Sequence, residues 1–354
     1  MNSDIETIRT LLSPHDPAVG VDPTAPRTSP TTMFGDAPGP RSVRRAYGRR
    51  TAMFAAAGVA AAAIVGIAGV VTLPGNGEPA TKARAATPPL LTYHGGGPTS
   101  ARDVLLDLAE RTERLPDTAG TGRYAYVQTR NWELSDQGNA KGEPSSAVIA
   151  TTSQQWLAAD GSGRQRSEYG APYFPTARDR KVWEKTEKDG GGIVAPGKDD
   201  QRFGPGGIPF RLAWKTLSTD PEVLRKQLYA ANPNSEDGQV ERLVDIEDLY
   251  SERPVRPAVA AAALRVVADI PGLHYDGMTT DRAGRTGLAV SVQWNGSDIP
   301  QRYTLIFDPQ TGRLLDSEQV LTRTVKGWNV KVPSVISYTV FLKSSFTQSL
   351  EPPK

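Results

Sequence analysis

Apolar positions along the chain fall into three regimes. From Thr51 to Leu73 they form an unbroken run, TAMFAAAGVAAAAIVGIAGVVTL, 23 residues without a charge. About 20 helical residues rising 1.5 Å each cross a ~30 Å hydrocarbon core. The run therefore predicts one transmembrane helix over 51–73, held in lipid by Phe54, Ile64, Val65, Ile67, Val70, Val71 and Leu73. Before it, Ile5, Ile8, Leu11 and Leu12 recur at helical intervals behind Ser3-x-x-Glu6, a capping-box spacing, and predict a short amphipathic helix that stops at Ser13-Pro14. Three turns are marginal alone in water, so this stripe either frays or docks on a partner. Residues 14–40 are rich in Pro, Thr, Gly and Ser with no apolar period and read as a disordered tether.

The third regime lies beyond a flexible linker, 74–98, that ends in Gly95-Gly96-Gly97-Pro98. Thr99 or Ser100 caps a helix that buries Val104, Leu105, Leu108 and Leu115 and stops at Pro116. Tyr124, Tyr126, Gln128, Arg130 and Trp132 then alternate with Ala125, Val127 and Thr129, the period of a strand. A second strand over 147–157 returns through Asp160-Gly161 into 164–169, a hairpin. Two glycine clusters within 170–210 predict loops with at most short strands near Val182-Trp183. Asp220-Pro221 opens a helix to about Tyr229. A nearly all-apolar helix follows from Pro254 or Pro257 to Ile270. Five strands in meander order complete the chain: 273–279, then Leu288-Val290-Val292-Trp294, Tyr303-Leu305-Phe307, 314–322 and 335–342. Helix-then-strands occurs twice, from 99 and from 254, with no shorter repeat.

These elements predict an α+β protein: one transmembrane helix followed by an extracytoplasmic domain, 99–350, of curved antiparallel β-sheet with packed helices, half-barrel-like, with a subdivision near 200–220 left open. Charge sets its orientation. Arg44, Arg45, Arg49 and Arg50, with Arg41, crowd the N-terminal flank of the span, whereas Pro74-Gly75-Asn76-Gly77-Glu78 opens the other side. That bias holds residues 1–50 in the cytoplasm and the C-terminal part outside, in a single-pass cell-membrane arrangement. The rival reading is a cleaved twin-arginine leader using Arg49-Arg50 and the small-x-small Ala83-Arg84-Ala85. An apolar run of 23 residues exceeds the usual ~7–15 of a signal core, and the cleavage triplet lies about ten residues past its end.

Little chemistry converges. With 41 basic against 39 acidic residues no overall field draws the chain to nucleic acid, and no direct nucleic-acid contact is expected. No cysteine is present, which removes disulfides, thiolate nucleophiles and Cys-type zinc sites. The only histidines, His15, His94 and His274, share no ligand spacing, and no nucleophile-elbow or metalloprotease signature occurs. Gly204-Pro205-Gly206-Gly207 lacks the Lys-Ser/Thr of a phosphate loop, and Glu241, Asp245, Glu247 and Asp248 read as a solvated face. No cofactor, metal or catalytic residue is predicted. The six tryptophans could line an apolar cavity, though ordinary core filling explains them as well.

Ala101-Arg102-Asp103-Val104-Leu105, Gly122-Arg123-Tyr124-Ala125-Tyr126, Leu217 through Leu224, Ile270-Pro271-Gly272-Leu273 and Leu305 through Leu315, with the arginine-flanked span, resemble an uncharacterised actinobacterial single-pass membrane protein family, often encoded beside extracytoplasmic-function sigma factors. The outer domain is similar to the lipoprotein-carrier-like half-barrels, including periplasmic regulators that sit on anti-sigma factors. The resemblance implies a non-enzymatic membrane-anchored sensor or binding protein. Its tail, through Ile5, Ile8, Leu11 and Leu12, would contact a sigma factor or other cytoplasmic protein, and its outer part an apolar ligand or envelope protein. The alternative it implies is a membrane-tethered lipid or lipoprotein carrier or chaperone.

Overall fold

The computed structural model describes residues 87–138, 144–188, 196–207, 216–231, 238–295, 299–325 and 330–353. The span 51–73, its flanking arginines and the docking stripe Ile5, Ile8, Leu11 and Leu12 lie outside the described residues. Among the described residues no helix is long and apolar enough to cross a membrane.

Among the described residues ten strands form one antiparallel sheet: β1 (His94–Gly95), β2 (Tyr124–Gly138), β3 (Pro144–Ala158), β4 (Gly163–Tyr169), β5 (Gly197–Phe203), β6 (His274–Thr280), β7 (Thr286–Trp294), β8 (Gln301–Phe307), β9 (Leu314–Leu321) and β10 (Ser334–Thr347). Their order, β1-β6-β7-β8-β9-β10-β2-β3-β4-β5, places two meanders side by side, joined where β10 pairs with β2, from Ser337 opposite Glu133 to Thr347 opposite Tyr124. The parts of the chain before and after 200–220 therefore share one sheet. Among the described residues five helices accompany it: α1 (Ala101–Glu113), α2 (Ala177–Lys188), α3 (Pro221–Ala231), α4 (Gln239–Glu252) and α5 (Pro257–Ala268).

The helices start where the chain supplies caps. Ser100 accepts the Asp103 N–H for α1, and the Asp220 carboxylate accepts the Glu222 and Val223 N–H groups for α3, at 2.9 and 3.0 Å. Leu105 and Leu108 of α1, Leu224 and Leu228 of α3, Leu243 and Ile246 of α4 and Leu264 of α5 are buried with Val290, Leu305 and Phe307 of the sheet in one core. Each such side chain contributes roughly 1.5–3 kcal/mol by leaving water. Alternation along β7 and β8 therefore has a cause: Leu288, Val290, Val292, Tyr303, Leu305 and Phe307 face the helices, and the intervening residues face away.

Three expectations are corrected. Val182 and Trp183 lie on the helix α2, not on a short strand. The Thr176 hydroxyl accepts the Asp179 N–H at 3.1 Å and donates to its carboxylate at 2.6 Å, a cap that starts a largely polar helix with Trp183 turned edge-on to Phe174. The carboxylates of α4 do not form a solvated face. Asp245 and Glu247 are 3% and 4% exposed, and the buried Tyr303 hydroxyl donates to Glu247. Finally, the segment from residue 87 to 98, read from composition as the end of a flexible linker, is laid against the sheet and contributes β1.

Candidate functional site

The face of the sheet turned away from the helices carries buried polar side chains. β9 sends Asp316 and Glu318 to it, opposite Val340 and Tyr338 of β10 and Ile306 and Thr304 of β8. Both carboxylates are nearly inaccessible, at 0% and 1% exposure. An alternating strand would leave them in water if nothing covered this face, so the cover defines the site.

Part of the cover is the β6–β7 turn. The Asp281 carboxylate accepts the backbone N–H groups of Ala283 and Arg285, both at 2.8 Å, and the Arg285 Nε at 2.7 Å. Arg285 then donates to the Leu315 and Phe341 carbonyls, and Arg130 of β2 donates to the Arg282 carbonyl, each at 2.8 Å. Thus fixed, the turn aims its Arg282 backbone N–H at Asp316, 3.0 Å away, and its guanidinium Nε at Glu318, 2.8 Å away. The Tyr338 ring lies under the same guanidinium, and Trp132 stacks on Tyr338 at 5.9 Å.

The rest of the cover is the strap formed by residues 87–95. Its Thr87 hydroxyl meets Ser334, its Thr92 carbonyl accepts the Thr279 hydroxyl at 2.9 Å, and His94 and Gly95 pair with Met278 and Gly277. Tyr93 points down between them, and Arg302 of β8 donates to its hydroxyl. The close approach requires glycine: a Cβ at Gly277, whose φ is +109°, would stand 2.4 Å from the His94 carbonyl oxygen.

Electrostatics follow from this burial. Desolvation pushes the Asp316 carboxyl well above the usual carboxylate range, the neighbouring Glu318 and Asp281 charges adding to the effect. Glu318 is raised by burial despite Arg282, and Tyr93 is pushed up to about 12 by burial, against the pull of Arg302. Asp316 Oδ1 and Glu318 Oε1 accept no hydrogen bond among the described residues. A proton retained on Asp316 removes the charge that this environment least tolerates.

The other half of the face is closed by the C-terminal segment. Trp156 donates to the Glu351 carbonyl at 3.1 Å. Arg164 donates to the Leu350 carbonyl, to the Glu351 carboxylate and to both oxygens of Asp200. That bidentate pair holds Asp200 down to about 2.

Sequence-selected residues are dispersed across the fold. His274 is exposed at the start of β6, Gly204 through Gly207 form a turn, and the described tryptophans other than Trp294 are at least half-buried. Among the described residues no three His, Asp or Glu side chains stand together as metal ligands. Sequence reasoning passed over Tyr93, Asp281, Arg282, Arg285, Asp316 and Glu318. Asp316 and Glu318 stand at strand spacing, as on a solvent face, and no sequence signal marks them, although in the structure every other residue of β9 but one is buried.

No family model matches this chain, and no curated protein matches it. Among solved structures, the Pseudomonas aeruginosa MucA/MucB complex aligns at 13% identity and a TM-score of 0.24, covering 69% of this chain and 56% of that one. The chain thus spans little more than half the length of that structure. A DUF1329 family protein from Desulfovibrio piger aligns at 11% identity and a TM-score of 0.20, covering 70% of this chain and 94% of that one.

Proposed function

We propose that this protein is a membrane-anchored, non-enzymatic sensor or binding module. Its α+β body lies outside the cell, its basic tail lies in the cytoplasm, and the tail meets a sigma factor or another regulatory protein. The observation that supports the sensor reading is the strap. The segment that follows the predicted span within the sequence is built into the sheet over buried Asp316 and Glu318 through Tyr93 and Thr92. A partner that shifts the sheet face would therefore change the tension and path of the linker. The carrier reading needs an apolar cavity. On the helix side of the sheet that space is filled by Leu264, Val290, Leu305 and Phe307, which favours the sensor.

The chain has no cysteine, so single cysteines report its sidedness. Ser349→Cys should react with a membrane-impermeant maleimide in intact spheroplasts, and Ser13→Cys only after lysis. Labelling of both in intact spheroplasts, or of neither until lysis, would sink the two-sided arrangement. Isolation of a sigma factor with the wild-type chain, lost on Ile8→Ala/Leu11→Ala, tests the tail's role.

A further inference from the structure

A second feature lies on the helical layer, away from the strap. Tyr229 lies four residues after Arg225 and three after Lys226 on α3, so it neighbours both on the helix surface. With Arg242 from the first turns of α4 and Val266 and Asp269 from the end of α5 they line a cavity of about 490 Å³. That volume lies within the ~300–1,000 Å³ of small-ligand sites.

Three of the six lining residues are cations and one is an acid. The acid is already engaged, since Arg102 meets Asp269 at 3.4 Å. Arg225 is steadied by Glu222 on its own helix, and the Arg242 guanidinium carbon lies over the Tyr229 ring, 5.6 Å from its centre. Lys226 is exposed and forms no ion pair among the described residues. Tyr229 keeps its proton, because burial raises its pKa, and so offers a hydroxyl donor. Two guanidinium groups, an ammonium and a phenol hydroxyl around one concavity form a donor-rich set suited to a tetrahedral oxyanion.

We propose that the cleft between α3, α4 and α5 binds a phosphate group, either free or as the headgroup of an anionic lipid. The cavity exceeds a bare phosphate, so it admits the glycerol portion of an ester. Arg225, Lys226 and Arg242 hold the oxygens, and Val266 meets the carbon skeleton.

Hydrogen exchange of the full chain in nanodiscs tests this, read at residues 221–231 and 239–252. In phosphatidylcholine discs at constant ionic strength, added inorganic phosphate should slow exchange at both helices with a saturable midpoint. Lys226→Glu should raise that midpoint roughly tenfold, and Lys226→Arg should leave it near wild type. Protection by phosphatidylglycerol discs without phosphate identifies a lipid headgroup as the source, and protection by inorganic phosphate alone identifies a free ligand. Absence of protection in both arms, or protection that persists unchanged in Lys226→Glu, overturns the site.

Discussion

Arg302 on β8 donates to the Tyr93 hydroxyl at 3.1 Å while its guanidinium lies 5.1 Å from the centre of the same ring. This pair fastens the strap to the middle of the sheet, whereas β1 fastens only its end. Local opening free energies vary widely within one fold, and a two-residue strand alone protects little. Tyr93→Ala is expected to speed hydrogen exchange at His94 and Gly95 and along β6 at least several-fold. Global stability should fall by only about 1–2 kcal/mol. Unchanged exchange at β6 would show that the strap does not depend on this pair.

The buried carboxylates set the sign of a pH dependence. Burial raises Asp316 and Glu318 above their unfolded values, so the folded state holds more protons and stability falls as pH rises from the unfolded carboxylate range toward neutrality. Arg282 faces both carboxyls and opposes the rise without overcoming burial. Asp200 works in the opposite sense. Its folded value near 2 makes its contribution complete above the unfolded carboxylate range and lost as pH falls toward 2. Thermal unfolding of the wild type should therefore show its highest midpoint near about pH 4–5. Asp316→Asn should flatten the decline above it, and an unaltered slope would assign the effect elsewhere.

Arg164 joins β4 to β5 and to the C-terminal segment, and its side chain is 6% exposed. Arg164→Leu leaves the Leu350 carbonyl without its donor and Asp200 with Arg166 alone. A loss of about 1–3 kcal/mol is expected, moderated because Asp200 is 46% exposed. Release of the segment over Trp156 should appear as a red-shifted tryptophan emission and faster carboxypeptidase trimming. Slow trimming in the variant would mean that Trp156 and Arg166 suffice to hold the end.

The Tyr303–Glu247 pair joins β8 to α4 inside the core. Tyr303→Phe removes the donor and leaves the buried carboxylate under-served, at about 1–3 kcal/mol. Tyr303→Phe/Glu247→Gln should recover part of this loss, because an amide tolerates burial better than a charge. A double variant no more stable than the single one would exclude a charge penalty.

Much of the secondary structure was legible because its signals are local. Ser100 and Asp220 mark helix starts within three residues. Asp160-Gly161 marks a hairpin, and Gly161 indeed sits at φ 77°. α2 escaped notice because its cap, Thr176, lies in a stretch dominated by Pro and Gly, and only Val182 and Trp183 carry the apolar face. The site was illegible for a different reason. Asp316 and Glu318 have the spacing of an ordinary solvent face, and their burial comes from Tyr93 and Arg282, which are distant in sequence.

The sequence alone determined the local alternation, the caps, the turns and the uncharged run over 51–73, since each depends on neighbours a few residues apart. Tertiary structure decided that β10 pairs with β2 across some two hundred residues, that α4 turns its acids inward, and that a linker becomes a strap. Period and capping specify how a segment is shaped. Which face becomes dry depends on what arrives from elsewhere in the chain to cover it.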